Sequence, residues 1–199
     1  MEITKKRTLI ILDWDDTLFP TSWVMDNNLD LTDPSVRATF NIKFEELDNI
    51  LYKFLCRISK LGKVIIITNA MPEWVHLSGS LLRNTNGVLK KITIISARKE
   101  HHHHEEMKNW KKLCFSDELM KHNVKYKTNN VISIGDAAYE YRALINLYNH
   151  QQGHLDRYLK SIQLKKGPSY ENLQEQLHIM NKQIKEICGH ANHIDLEFK

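Results

Sequence analysis

The feature that most constrains the fold is a short apolar run that ends in a cluster of acids. Residues 9–12 read Leu-Ile-Ile-Leu and are followed by Asp13, Asp15 and Asp16. A continuous apolar run of this length is typical of a parallel strand covered on both faces. In an open parallel sheet, ligands bind beyond the carboxyl ends of the strands, which is where these acids fall. The run therefore predicts an α/β sheet with a charged site at one edge.

The crowding of these acids calls for a compensating positive charge. Carboxylates a few Å apart repel each other unless a cation or a shared proton offsets their charge. The alternative interpretation is that Asp15, Asp16 and Thr17 simply cap the next helix. A cap uses one acid and leaves the others unexplained. We therefore expect a positive group beside this strand.

Further strands are predicted at residues 63–69, 92–95, 130–136 and 158–165. Helical patterns separate them, and a last amphipathic helix is expected at about residues 168–188. Strands that alternate with helices indicate a parallel sheet with right-handed crossovers. We predict a three-layer, Rossmann-like α/β fold with about five parallel strands and helices on both faces.

Length and composition narrow the class of protein. The 199 residues contain no linker rich in Pro, Gly or Ser, so we expect one domain over residues 1–199, with its core in residues 7–165. Basic residues exceed acidic ones by only 28 − 24 = 4, which gives nucleic-acid binding little support. Three cysteines without paired spacing, no apolar leader and no stretch of transmembrane length predict a soluble protein of the cytoplasm or another reducing compartment.

Residues 101–104 form a run of four histidines. Successive side chains of a strand or helix point in different directions, so four neighbours do not converge on one metal ion. Because histidine titrates near neutral pH, the run predicts a solvated, pH-sensitive loop or helix start.

The ends of four predicted strands carry polar side chains of complementary chemistry. In chain order these are Asp13 with Asp15, Thr68 with Asn69, Arg98, and Asp136 with Glu140 nearby. A carboxylate can attack phosphorus as a nucleophile, and Mg²⁺ binds carboxylates, carbonyls and phosphate oxygens. Hydroxyl and amide groups can hold phosphoryl oxygens, and a lysine can neutralise the transition state. The set predicts Mg²⁺-dependent phosphoryl transfer.

The motifs that carry these residues resemble those of the haloacid dehalogenase (HAD) superfamily of phosphatases and phosphotransferases. They are Asp13-Trp-Asp-Asp-Thr17, Thr68-Asn69 and Gly135-Asp136, in that order. The resemblance implies that Asp13 is the nucleophile and a metal ligand, and that Asp15 is the acid/base whose carbonyl also binds Mg²⁺. It implies that Thr68 binds the phosphate and Asp136 the metal. Glu140 stands where the family more often has an aspartate that holds metal-bound water.

The family's third motif is a lysine with little local signature. Lys108, Lys111 and Lys112 lie on the helix predicted before the fourth strand, and Lys99 is an outside candidate. We favour Lys111, because Trp110-Lys111 resembles a Trp-Lys pair in some protist and plant members of the superfamily. An ordinary surface lysine is the alternative.

Two further segments, residues 68–74 and 96–98, are similar to the same protist and plant subgroup. On this resemblance Arg98 is a candidate phosphate ligand. The alternative is that Arg98 is a structural salt-bridge partner.

The chain leaves little room for the inserted cap domain by which most members of the superfamily choose a substrate. Between Leu18 and Lys63 we expect one loop, residues 19–32, and one covering helix; between Ala70 and Lys91 we expect one helix. An open site cannot by itself shield a small metabolite from water. The resemblance to uncapped members therefore implies a bulky phosphorylated substrate, such as a phosphoprotein, or a cap lent by another subunit.

The leading hypothesis is therefore a Mg²⁺-dependent phosphatase that works through an aspartyl-phosphate. A second hypothesis is a catalytically silent HAD-fold subunit or scaffold within a larger protein assembly, since fold does not fix function. It draws on the missing cap and on Trp14, Trp23 and Trp74, which are expected to be exposed. A third, a phosphoacceptor receiver domain, is disfavoured because the threonine precedes both the candidate lysine and the last acid.

Overall fold

The computed structural model describes residues 2–103, 106–149 and 157–199, apart from the side chains of Lys108 and Asn149. Within these residues a six-stranded parallel sheet has the order β3-β2-β1-β4-β5-β6. The strands are β1 Thr8–Leu12, β2 Lys63–Thr68, β3 Thr93–Ser96, β4 Asn130–Gly135, β5 Tyr158–Gln163 and β6 Ile194–Glu197. The predicted α/β fold with a parallel sheet is confirmed.

Helices connect the strands and cover both faces of the sheet. They are α1 Thr21–Asp26, α2 Pro34–Thr39, α3 Asn41–Ile58, α4 Pro72–Ser80, α5 Arg83–Leu89, α6 Ala97–His101, α7 Met107–Tyr126, α8 Ala138–Asn149 and α9 Tyr170–Gly189. Among the described helices, none combines the length and apolar character that a membrane crossing requires.

Strand β1 lies at the centre of the sheet because both of its faces are apolar. Ile10 and Leu12 pack into a core that includes residues of α3 and α9. Leu9 and Ile11 point to the opposite side, into a second core with residues of α7 and α8. The alternation of side chains along a strand thus divides one apolar run between two layers.

The register of the sheet sets the position of the acids. Leu12, the last residue of β1, pairs with Ile66 of β2 and with Ile134 of β4. The backbone N–H of Asp13 donates to the carbonyl of Ile134 at 2.9 Å. Asp13 therefore leaves the sheet between the carboxyl ends of its two neighbours.

The sixth strand was not expected, because residues 190–199 carry no clear pattern. Strand β6 pairs with β5 at the edge of the sheet, where Lys160 aligns with Ile194. It is four residues long, and three of its residues are exposed. A short edge strand with one bonded side buries too little apolar surface to leave a sequence signature.

The helices differ from the prediction in two places. Residues 19–32 include α1, and residues 70–91 hold α4 and α5 rather than one helix. Helix α5 packs against α3 and α4. These short helices are part of the layer beside the sheet, so the described residues contain no cap domain.

The tryptophans are less exposed than the sequence suggested. Trp14 is fully buried, and its indole N–H donates to the hydroxyl of Ser78 in α4 at 3.0 Å. Trp23 and Trp74 are half-buried. The prediction of three exposed tryptophans is wrong, because the loop after β1 folds back under α4.

We expect Gly62→Ala to lower the free energy of unfolding by about 1–3 kcal/mol, because a side chain there overpacks a filled site. A Cβ at residue 62 would lie 2.8 Å from Thr8 Cγ2 and 2.9 Å from the Thr8 carbonyl oxygen. Urea unfolding measures the change. Gly87→Ala is the matched control, since a Cβ there meets nothing within 4 Å. Equal stability of the two variants would contradict the packing argument.

Candidate active site at the carboxyl edge of the sheet

Three carboxylates converge beyond the ends of β1 and β4. Asp13 follows β1, Asp136 follows β4, and Glu140 lies in the first turn of α8. All three residues are buried, and one carboxylate oxygen from each lies within 4.8 Å of the others. The sheet register and the start of α8 thus bring together acids that are more than 120 residues apart in sequence.

Lys111 reaches into this cluster from α7 and is only 2% exposed. Its Nζ lies 2.7 Å from Asp13 Oδ1 and also forms an ion pair with Glu140. Burial by itself would lower the pKa of Lys111, but the attraction of Asp13 and Glu140 raises it above its usual value. Lys111 is therefore a buried, charged member of the site and not a surface lysine.

The other candidate lysines occupy different surroundings. Lys112 is half-buried and donates to Asn109 at 3.3 Å, and Lys99 is exposed. The side chain of Lys108 lies outside the described residues. Of Lys99, Lys111 and Lys112, Lys111 is the one that contacts the acid cluster.

The cluster holds more negative charge than Lys111 can offset. Burial raises the pKa of Asp13, against the attraction of Lys111. Burial, then repulsion by Glu140, raises the pKa of Asp136 to about 7. A divalent cation would remove this cost, and carboxylate oxygens are the hard donors that Mg²⁺ prefers. The donor set of Asp13, Asp136 and Glu140 therefore fits Mg²⁺.

Asp15 has a different environment from Asp13, although the two are two residues apart. Its Oδ1 accepts hydrogen bonds from the Thr21 hydroxyl at 2.6 Å and the Trp74 indole N–H at 2.9 Å. Its Oδ2 accepts from the Thr68 hydroxyl at 3.1 Å. Asp15 thus faces neutral donors, whereas Asp13 faces an ammonium group.

Asp16 points away from the cluster. Its carboxylate accepts from the backbone N–H of Ser22 at 2.8 Å and from the Ser22 hydroxyl, in the first turn of α1. Its backbone has a positive φ of 53°, which turns the chain sharply after Asp15. The capping interpretation thus accounts for Asp16 alone and leaves Asp13 and Asp15 to the site.

The candidate phosphate ligands are distributed unequally. Thr68 ends β2, is fully buried and accepts the backbone N–H of Ala70 at 2.9 Å. Asn69 follows it, and its buried Oδ1 has no hydrogen-bond partner among the described residues. Arg98 is exposed on α6 after β3, outside the group of side chains that converge on Asp13.

Gly135 makes room for the side chain of Glu140. A Cβ at this position would overlap the side chain of Glu140. The absence of a side chain at residue 135 therefore lets Glu140 turn back over the end of β4 towards Lys111.

The sequence prediction missed Thr21 and Trp74 as members of the site. Both contact Asp15, Trp74 from a position 59 residues away in sequence. Neither a threonine after Pro20 nor a tryptophan in a helix has a local signature of such a contact. Because α4 follows the end of β2 closely in sequence, it is expected near the site, but the sequence does not show which of its side chains points inwards.

The histidine run lies apart from the acid cluster. His101 ends α6, with its Nε2 3.8 Å from Asp117 Oδ2, while His102 and His103 are exposed in a turn. His104 lies outside the described residues. In the part of the chain that the structure describes, the one cluster of potential metal ligands is Asp13, Asp136 and Glu140.

Comparisons with known proteins add no relative to this picture. No protein-family model, curated protein or solved structure matches the chain. A function is therefore argued from the motifs and from the geometry of the residues around Asp13.

We expect Asp136→Asn to reduce the pH dependence of stability in metal-free protein. Asp136 ionises at about pH 7 in the folded chain, against an ordinary pKa of 3.8. Between these pH values the folded state binds the extra proton, so the free energy of unfolding of the wild type falls as pH rises. The variant should be more stable than wild type at pH 8 by about 1–3 kcal/mol and similar at pH 4.

Urea unfolding in the presence of a chelator at both pH values measures this difference. Asp195→Asn, at an exposed position of β6, is the control and should follow the wild type. The expectation fails if Asp136→Asn loses as much stability between pH 4 and pH 8 as the wild type does.

Proposed function

We propose that the chain is a Mg²⁺-dependent phosphatase of the HAD superfamily, with Asp13 as the residue that accepts the phosphoryl group. The observation that carries the proposal is the buried group of Asp13, Lys111, Asp136 and Glu140 at the carboxyl edge of a parallel sheet. A structural ion pair would need one acid per lysine. Three buried acids around one lysine are costly unless a cation shares the site, and a cation held by carboxylates can in turn bind an anionic substrate.

Four groups would hold the Mg²⁺ ion. They are the carboxylates of Asp13, Asp136 and Glu140 and, by the family resemblance, the backbone carbonyl of Asp15. When bound, the ion offsets the charge of these acids and of the phosphate, which lets two anions approach each other.

The first half-reaction transfers the phosphoryl group to the protein. A carboxylate oxygen of Asp13 forms a bond to phosphorus as the ester P–O bond breaks. Lys111 holds Asp13 in place at 2.7 Å and offers its positive charge to the phosphoryl oxygens. Protonated Asp15 gives its proton to the leaving oxygen, which departs as an alcohol.

The second half-reaction restores the protein. Asp15, now a carboxylate, takes a proton from a water molecule whose oxygen forms a new bond to phosphorus. The bond between Asp13 and phosphorus breaks, and inorganic phosphate is released. Asp13 ends as a carboxylate and Asp15 as an acid, so each residue returns to its starting state.

The proposed substrate is a bulky phosphorylated molecule such as a phosphoprotein. No cap domain covers the candidate site among the described residues. Water must be excluded while the phosphoryl group is transferred, and a large substrate can do this with its own surface. A cap contributed by another subunit would also exclude water from the site.

The silent-subunit alternative has less support than the sequence suggested. One of its arguments was an exposed set of tryptophans, and Trp14 is fully buried while Trp23 and Trp74 are half-buried. Asp13 and Asp15 also keep the separate environments that a nucleophile and an acid/base need. An assay for turnover separates the two functions.

We expect the wild type to release p-nitrophenol from p-nitrophenyl phosphate only when Mg²⁺ is present, and Asp13→Asn to lower kcat by at least about 10³-fold, because an amide is not a nucleophile. Asp195→Asn is the control of equal charge change and should keep full activity. Activity that survives in Asp13→Asn would rule out the aspartyl-phosphate.

Mg²⁺ binding is tested without turnover by thermal unfolding. An ion that binds only the folded state stabilises it by about 2.7 kcal/mol at 100 times its Kd. We expect Mg²⁺ to raise the Tm of the wild type and to have little effect on Asp136→Asn. The silent-subunit alternative predicts the same stabilisation with no turnover; equal shifts in both proteins would contradict a site at Asp136.

A further inference from the structure

We infer that Trp74 is a positioning residue that holds the Asp15 carboxyl group so that Oδ2 faces Thr68, the candidate phosphate ligand. The inference rests on the proposed function, because it concerns the residue that protonates the leaving group. It gives Trp74 a role that the family resemblance does not assign to it, and it states which of the two carboxyl oxygens faces the phosphoryl position.

Two contacts hold Oδ1 on the protein side of Asp15. The Trp74 indole N–H lies 2.9 Å from it and the Thr21 hydroxyl 2.6 Å. The indole N–H can only donate, and it also lies 3.3 Å from the Thr21 hydroxyl oxygen. These contacts fix the rotation of the carboxyl group, so that its other oxygen, Oδ2, points away from Trp74.

The partner of Oδ2 is the Thr68 hydroxyl at 3.1 Å, a group that can either donate or accept a hydrogen bond. The same hydroxyl is the candidate ligand of the phosphoryl oxygens. Oδ2 thus faces Thr68 and the phosphoryl position, whereas Oδ1 faces Trp74 and the protein.

Packing holds the indole ring in this position. The ring of Trp74 lies edge-on to that of Phe19, with 5.9 Å between centroids and an angle of 83° between planes. The backbone N–H of Phe19 donates to the carbonyl of Trp14, and the backbone N–H of Asp16 donates to the carbonyl of Phe19, so Phe19 is held on both sides of Asp15. The donor and the carboxylate that it orients are therefore parts of one packed unit.

If this orientation is lost, the fall in kcat/KM should depend on the leaving group of the substrate. A leaving group that is stable as an anion departs without a proton, whereas a basic one needs general-acid help. Phenyl phosphate and p-nitrophenyl phosphate are similar in size and differ in this respect. A purely structural defect would lower kcat/KM for both by the same factor.

The experiment compares kcat/KM for the two esters in Trp74→Phe and Thr21→Val, each of which removes one donor to Oδ1. We expect both variants to lose about tenfold more activity towards phenyl phosphate than towards p-nitrophenyl phosphate. Trp23→Phe is the matched control, because Trp23 packs against Phe40 and Tyr170 and not against Asp15. It should change both values equally or not at all.

A second measurement detects the hydrogen bond directly. In ¹⁵N–¹H NMR spectra, the indole resonance that is missing in Trp74→Phe should move in Asp15→Asn, while that of Trp14 stays in place. This readout needs no turnover and reports folding of the variants at the same time.

The outcomes separate the two levels of the proposal. The role of Trp74 alone is overturned if Trp74→Phe and Thr21→Val lower kcat/KM equally for both esters, or if the Trp74 indole resonance does not move in Asp15→Asn. A wild type without turnover, or turnover that survives Asp13→Asn, overturns the proposed function and this inference with it.

Discussion

Three carboxylates and one ammonium are buried together at the carboxyl edge of the sheet, and this imbalance of charge governs the site. Lys111 contacts Asp13 and Glu140, while Asp136 lies near both acids without an ion pair to Lys111 in the described contacts. Buried charges that are not compensated cost several kcal/mol each, which appears here as raised pKa values for Asp13 and Asp136. The fold can tolerate this unfavourable energy because the sheet that carries the acids is stabilised by an apolar core on each of its faces.

The two acids of the first motif lie in different surroundings although they are only two residues apart. Asp13 lies against the ammonium of Lys111. Among the described residues, Asp15 accepts hydrogen bonds from neutral donors, those of Thr21, Thr68 and Trp74. Carboxylates with contrasting environments are the usual sign of separate nucleophile and acid/base roles. The positive φ of Asp16 turns the chain after Asp15 towards α1, where the Asp16 carboxylate accepts from Ser22.

The backbone around the site depends on two close approaches that allow no side chain. Gly62 lets the chain enter β2 against Thr8, next to the start of β1. Gly135 makes room for Glu140 at the end of β4. Both positions couple the sheet to the site, because a shift of β2 or β4 would move Thr68 or Asp136 relative to Asp13.

The sequence by itself determined the parallel sheet, the buried strand β1 and the place of Asp13 and Asp136 at the ends of strands, because apolar runs and polar strand ends are local patterns with a known place in such sheets. It left four lysines as candidates, and only the structure showed that Lys111 reaches the acids. The sequence did not reveal β6, the burial of Trp14, the contact of Trp74 with Asp15, or the space that Gly135 leaves for Glu140. Each of these depends on segments distant in sequence that meet only after the layers have packed. Such contacts depend on how the helices and strands pack in three dimensions, which local sequence patterns do not encode, and so only the tertiary structure decided them.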